Sequence, residues 1–313
     1  MLHGAPEGPP RNRRSPPGTR EPAAPGGLSD YLALTKARIV ELLLVTTIPA
    51  MVLAQDGLPP VGLLLATLVG GTLTAASANA FNCYCDRDID ARMRRTSRRP
   101  LAVEGGSLDP RHALVFAWAL GIAGTAMLVP FAGWLAAVLA DAAIVFYVFV
   151  YTLGLKRRTS ANIVIGGATG CLPVLVGWAA VTGTVGWPAL VLALVVFLWT
   201  PPHFWALAMR FREDYAAAGV PMLPSVAPAD VVARKMLVHA AATVLASLLL
   251  VPAAGPVYAA CAVALGAWLL GTAAGLRRAQ ARGRRTRPMA LFHVTNNYLC
   301  LLFVSVVVPV LVG

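Results

Sequence analysis

Residues 78–90 read ANAFNCYCDRDID, where a long apolar run opens into the most arginine-dense part of the chain. Asn82, Asp86 and Asp90 recur every four residues. Each such step advances about 40° around a helix axis, so the amide and both carboxylates share one face while Arg87 and Asp88 point elsewhere. Carboxylates at membrane depth are costly and mark function more often than decoration. Mg²⁺ prefers oxygen ligands and is commonly held by one or two carboxylates plus substrate phosphates. The stretch therefore predicts a membrane helix carrying a Mg²⁺-diphosphate face, and an enzyme acting on a lipid diphosphate.

The rest of the chain agrees with a membrane setting. Hydrophobic residues make up 58% of 313 and charged ones only 13%, against roughly 45–50% apolar in an ordinary soluble domain. Apolar runs of spanning length fall at about 35–55, 61–82, 112–130, 132–154, 162–182, 186–206, 236–252, 256–276 and 290–312. They predict an all-α, polytopic protein with nine transmembrane helices. The division between the third and fourth runs rests on Pro130–Phe131 alone.

Charge placement tests that division. The 26 Lys and Arg residues fall into five groups: the N-terminal region through Arg38, Arg87–Arg111, Lys156–Arg158, Arg210–Lys235 and Arg277–Arg287. If nine spans alternate from a cytosolic N-terminus, all five groups lie on the cytosolic side, and the opposite loops hold only Asp56. The expected location is thus the cell (inner) membrane, multi-pass, with the site near the cytosolic face. The net charge of +12 follows from topology and anionic lipid headgroups, so it gives no reason to invoke nucleic acid.

Residues 1–28 are rich in Pro, Gly and Arg, contain no apolar run long enough for a secretory signal, and read as a disordered cytosolic tail ahead of one domain, 29–313. Five cysteines, including Cys83 and Cys85, lack zinc-site spacing and read as reduced. No nucleotide-binding glycine motif and no solenoid repeat is found.

A second wall is expected from PPHFWALAMRFREDYAAAGVPMLP at 201–224. In a continuous helix, Arg210 and Asp214 each lie within about 20° of His203. They would set an imidazole, a phosphate-binding cation and a second metal-facing carboxylate opposite Asn82, Asp86 and Asp90.

These motifs resemble a known family. Asn-xxx-Asp-xxx-Asp at 82–90 is similar to the first aspartate-rich motif of the UbiA superfamily of intramembrane prenyltransferases. MxRTxxRP at 93–100, YTLGLKRRTSANIVIGG at 151–167, AAVTG at 179–183 and the PPHFW…REDYAAAGVPMLP segment resemble the protohaem IX farnesyltransferase branch. The resemblance implies a UbiA-like central cavity, Mg²⁺ as cofactor, and farnesyl diphosphate and haem B as substrates. It implies haem O as product, made by farnesyl transfer to a vinyl group with addition of water, on the route to haem A and terminal oxidases. A haem A synthase or a terminal-oxidase assembly factor is the kind of partner this suggests. Two departures stand out: TKAR at 35–38 has Ala37 where the family usually carries proline, and AVEGGSLDP follows RPL where a short turn is usual. Four residues after Asp214 stands Ala218, where quinone-type members commonly carry a second aspartate, and this favours the haem branch.

The chemistry assigns roles. Ionisation of a prenyl diphosphate needs charge neutralised on the leaving oxygen, which Mg²⁺ and arranged cations supply away from water. Asp86, Asp90 and Asp214 are the expected metal ligands. Asn82 contributes a carbonyl oxygen or orients a phosphate, and Lys156, Arg38, Arg95 and Arg210 are expected diphosphate contacts. His203 has three open roles: iron contact, proton shuttle, or a hydrogen bond between helices; His293 has the same choices. Plainer readings stand beside these, because the positive-inside rule alone could place any one arginine where it is. Asp141 is expected to be hydrogen-bonded or protonated, Asn296 and Asn297 to bridge helices, and Gly166, Gly167 and Gly170 to form a packing face. Two other functions fit the same residues: prenylation of a quinone or chlorophyll precursor on this scaffold, and transport of an amphipathic anion.

Overall fold

The computed structural model describes residues 26–102 and 107–312, with the side chains of 38–43 and 311–312 outside the described set. The expected disordered tail falls almost entirely on residues 1–25 and lies outside it. The described chain is helical throughout. A short α1 (Leu28–Thr35) meets α2 (Ala37–Gln55) at Lys36, whose φ of 52° breaks the helix in a left-handed step. Then come α3 (Val61–Asp90), α4 (Pro110–Ala132), and α5 (Trp134–Val145), which continues as a π-helix over Phe146–Leu155. After them follow α6 (Asn162–Gly166), α7 (Ala168–Thr182), α8 (Trp187–Arg210), α9 (Arg212–Ala217) and α10 (Leu223–Val226). The last three are α11 (Ala229–Leu248), α12 (Val251–Ala281) and α13 (Pro288–Val312).

Counting α5 with its π extension and α6 with α7, eight units among the described residues are long and apolar enough to cross a membrane. Helix α2, with its apolar segment Leu44–Gln55, occupies the place of the first expected span. The boundaries differ from the sequence reading where glycine rather than proline does the breaking. Pro130 sits inside α4, and the turn is made at Gly133, at φ 87°, a conformation open to glycine at little steric cost. The seventh span ends at Leu248, earlier than the sequence suggested, and α12 starts almost at once, kinking at Gly255 ahead of Pro256.

The bundle closes on itself. Each long helix packs on its neighbour, from α2 on α3 and α3 on α4 round to α12 on α13, and α13 returns to pack on α2 as well as on α8. Small residues allow the close approaches. A Cβ on Gly166 would clash with Cδ2 of the Tyr151 ring, and one on Gly167 would stand 3.1 Å from Thr200 Cβ, so this part of the expected packing face is real. Asp141 accepts a hydrogen bond from Thr125 Oγ1 at 2.8 Å, in keeping with its expected hydrogen bonding. Asn296 does not bridge helices through its carbonyl, because Oδ1 is buried without a hydrogen-bond partner. All five cysteines are free thiols.

Candidate active site

The unbroken α3 carries Asn82, Asp86 and Asp90 on one buried face, at 2%, 0% and 3% exposure. Buried carboxylates need partners, and each one here has found a cation. Lys156 Nζ donates to Asp86 Oδ2, and Arg99 donates to Asp90 Oδ2 at 2.7 Å. Asn82 links the row: Nδ2 donates to Asp86 Oδ2 at 2.7 Å and to Thr152 Oγ1 at 3.0 Å, while Oδ1 accepts from Lys36 Nζ at 2.6 Å. Asp88 points to the other side, as the helical spacing requires, where Arg157 grips both its oxygens at 2.6 Å.

The π-helix sets the opposing groups. Five-residue spacing replaces four, so Thr152 Oγ1 bonds back to Tyr147 carbonyl at 2.7 Å and Lys156 N to Tyr151 carbonyl at 2.8 Å. Such wide turns are uncommon and recur at functional sites. Here the turn leaves Thr152 facing Asn82 and Lys156 facing Asp86. Tyr147 and Tyr151, stacked with centroids 5.4 Å apart, line a cavity of 250 Å³ that runs from Asn79 past Thr74 and Ala140 to Thr67 and Val176. Its wall is mostly apolar, with Asn79, the two tyrosines and threonines such as Thr74 and Thr200 as its polar residues.

The segment after α3 folds back over this face. Thr96 Oγ1 donates to Asp90 carbonyl at 2.9 Å, which brings Arg99 onto the Asp90 carboxylate. Burial works against the charge of Arg99, but Asp90 outweighs it and the pKa is raised. Arg95 faces α9. Its backbone N donates to Asp214 Oδ2 at 3.3 Å, its guanidinium reaches Tyr215 Oη at 3.4 Å, and it lies over the ring of Phe211. Burial pushes the Tyr215 phenol up, so it stays neutral beside that arginine.

The second wall is not built as the sequence suggested. Helix α8 ends at Phe211, at φ −110° and ψ 29°, so Asp214, on α9, does not continue the α8 face that carries His203 and Arg210. Asp214 reaches the carboxylate side through Arg95. Arg210 is turned away and lines a separate pocket with Arg285 and Arg287. His203 is stacked between Trp199 and Phe292, centroids 4.2 and 4.5 Å apart, with Nδ1 3.0 Å from Thr295 Oγ1. It lies in the contact of α8 with α13, while its neighbours Thr200 and Phe204 line the cavity. The side chain of Arg38 lies outside the described residues. Sequence reasoning passed over Lys36 and Arg99 as contacts of Asn82 and Asp90. The TKAR motif and the RRP run were their only signals.

Among the described residues no three His, Cys, Asp or Glu side chains converge enough to hold a metal ion unaided. The donor set still suits a cation shared with phosphates. Asp86 Oδ1 is buried without a hydrogen-bond partner, an acceptor left over once Lys156 and Asn82 have taken Oδ2. Two carboxylates, one of them with an oxygen that accepts no hydrogen bond and has only the Arg157 guanidinium 3.9 Å away, match what Mg²⁺ takes from protein when substrate phosphates complete its shell.

Residues 43–296 match the model of the UbiA prenyltransferase family. The chain belongs to this family. It is 58% identical over 284 residues to a protein named protoheme IX farnesyltransferase from Frankia alni, covering 90% of this chain and 98% of that one. It is 59% identical over 288 residues to protoheme IX farnesyltransferase 1 of Saccharopolyspora erythraea, covering 92% of each. Among solved structures, a digeranylgeranylglyceryl phosphate synthase superposes with a TM-score of 0.70 at 18% identity, over 90% of this chain and 98% of that one. A UbiA homologue from Archaeoglobus fulgidus bound to DMAPP and Mg²⁺ gives 0.59 at 15% identity, over 88% and 99%. The UbiA fold is thereby established.

Proposed function

We propose that this UbiA prenyltransferase transfers the farnesyl group of farnesyl diphosphate to a vinyl group of haem B, with addition of water, to give haem O and diphosphate. The observation that carries the prenyl-transfer part is the row Asn82–Asp86–Asp90, ringed by Lys36, Lys156 and Arg99, which begins one helical turn beyond Asn79 in the wall of an apolar cavity. The names of the relatives from Frankia alni and Saccharopolyspora erythraea support haem as the acceptor. The absence of a second aspartate after Asp214, with Ala218 in its place, agrees with them.

In this reading Asp86 and Asp90, with Asp214 on the side of Arg95, would hold Mg²⁺, which supplies charge neutralisation at the leaving diphosphate. Lys156 and Arg99 are already drawn in by the carboxylates and can turn to phosphate oxygens as charge-assisted donors. Lys36 keeps the Asn82 amide oriented and adds a third cation. The stacked tyrosines and the apolar wall exclude water from the ionising carbon–oxygen bond until the allylic carbon has bonded to the vinyl carbon. The positive charge then rests beside the porphyrin, and water captures it with loss of one proton to solvent. Arg95 enters as the link between the α3 end and α9. His203 enters as a positioning residue that fixes α8 against α13, next to cavity-lining Phe204 and Thr200. The basic end of the bundle is placed on the cytosolic side of the cell membrane, where charge bias would hold it.

Incubating the purified protein with haem B, farnesyl diphosphate and Mg²⁺, then weighing the porphyrin, tests this reading. A gain of one farnesyl group and one hydroxyl is expected, with 4-hydroxybenzoate and naphthoate acceptors left unmodified. Prenylation of those acceptors with haem B untouched would move the protein to the quinone branch. Anion uptake into vesicles without any prenyl transfer would make it a transporter.

A further inference from the structure

A second polar cavity opens at the basic end, behind α6 and away from the carboxylate row. It has a volume of 260 Å³ and is lined by Ser160, Trp205, Arg234, Lys235 and His239, among others. Trp205 is 1% exposed. Its ring meets that of His239 edge to face, centroids 5.4 Å apart. Trp205 Nε1 and His239 Nδ1 are both buried without a hydrogen-bond partner. A buried indole N–H with nothing to bond is unfavourable, and such groups call for an explanation in a native structure. Arg234 and Lys235 add two positive charges, and among the described residues neither forms an ion pair, although Asp230 stands one turn earlier on α11.

Interfacial anchoring alone would account for an arginine, a lysine or a tryptophan at a membrane boundary. It does not account for this tryptophan, which is enclosed rather than facing headgroups. The indole offers only a donor, the two cations only donors, and Ser160 a hydroxyl that can donate. A ligand that satisfies them must be rich in acceptor oxygens and negatively charged. A cavity this small holds one such group.

We propose that this cavity is a phosphate-oxyanion site, distinct from the diphosphate site on α3, in which Lys235 and Arg234 neutralise the charge and Trp205 Nε1 and His239 supply fixed hydrogen bonds. The oxyanion can come from the headgroup of an anionic phospholipid or from free phosphate. The site's existence does not depend on the identity of the prenyl acceptor.

The full-length protein in detergent is titrated with phosphatidylglycerol, phosphatidylcholine or inorganic phosphate, with bound species read by native mass spectrometry and by the shift in Tm. Phosphatidylglycerol, and not phosphatidylcholine, is expected to bind at one site and raise Tm. A matching shift with inorganic phosphate would assign the site to the free anion, and no shift with phosphate would assign it to the lipid. The double variant Arg234→Gln/Lys235→Gln should weaken that binding at least tenfold, and Trp205→Phe, which keeps an aromatic ring but removes the N–H, severalfold. Arg284→Gln, in the separate basic loop before α13, should leave it unchanged. The double substitution lies at exposed positions and spares the fold, so wild-type binding in that variant would overturn the proposal. So would failure of the wild-type protein to bind either probe.

Discussion

Lys156 reaches Asp86 across 70 residues of sequence, and it does so from the position that caps the π-helix. The carboxylate is fully buried and the ammonium nearly so. A buried pair of this kind is worth little against an apolar replacement of both partners, but removing one partner leaves an unpaired buried charge, at a cost of about 3–5 kcal/mol. Lys156→Ala should therefore lower Tm markedly and nearly abolish prenyl transfer. Lys156→Arg should keep most of the stability and only part of the rate, because the longer fork cannot sit where the ammonium does. Thermal melts and single-turnover assays on both variants check this. Equal activity in all three proteins would remove Lys156 from the site.

Asp86→Asn takes away charge without volume. The protein should fold but melt lower than wild type, since Lys156 loses its charged partner while the amide carbonyl still accepts and no packing is lost. Turnover should fall on the order of 10²-fold or more if the carboxylate shares a metal ion with diphosphate, and the Mg²⁺ concentration needed for half-maximal rate should rise. Asp88→Asn is the control. It breaks only the exposed pair with Arg157, and surface pairs of that kind contribute about 0–1 kcal/mol. Comparable losses in the two variants would mean that the helical face has been misassigned.

Gly166→Ala tests whether the π-helix positions the site. The added methyl would press on the edge of the Tyr151 ring at Cδ2, and overpacking of this type costs about 1–3 kcal/mol. Tyr151 must then shift, carrying the carbonyl that holds Lys156 N. The expected result is a loss of rate greater than the loss of folded protein, with weaker binding of farnesyl diphosphate. Gly170→Ala, whose nearest neighbours stand at 3.7 Å and 3.9 Å, should be mild. If Gly166→Ala and Gly170→Ala behave alike, the turn is not a positioning device.

The carboxylate face was legible because four-residue spacing is a local property, and an unbroken helix preserves it from Asn82 to Asp90. The span order was legible for a similar reason, since apolar length and basic loops are both written along the chain. The second wall was not. Its prediction needed a helix continuous from His203 to Asp214, and nothing local announces that Phe211 will leave helical geometry; the break follows from α9 folding onto Arg95 and Met93. The π-helix was equally hidden, because FYVFVYTLGL has the apolar composition of any spanning segment. Its register is fixed by what Thr152 and Lys156 meet on α3.

His203 is where the sequence left most open. With its ring between Trp199 and Phe292 and Nδ1 on Thr295, it ties α8 to α13. Removing the ring should open a void, at about 2–4 kcal/mol by analogy with other large-to-small changes in packed interiors. His203→Ala is therefore expected to melt several degrees lower. His203→Phe refills the stack and gives up only the Thr295 bond, so it should recover most of that stability. In the folded His203→Phe protein, haem affinity and the optical spectrum of bound haem should match the wild type, and turnover should stay within a few-fold. An iron contact predicts the opposite, a changed spectrum and weakened haem binding in a variant that melts normally. A proton-transfer role predicts normal haem binding with a much lower rate and an altered pH profile. Either result would return His203 to the reacting centre and require α8 to rotate toward the cavity when substrate is bound.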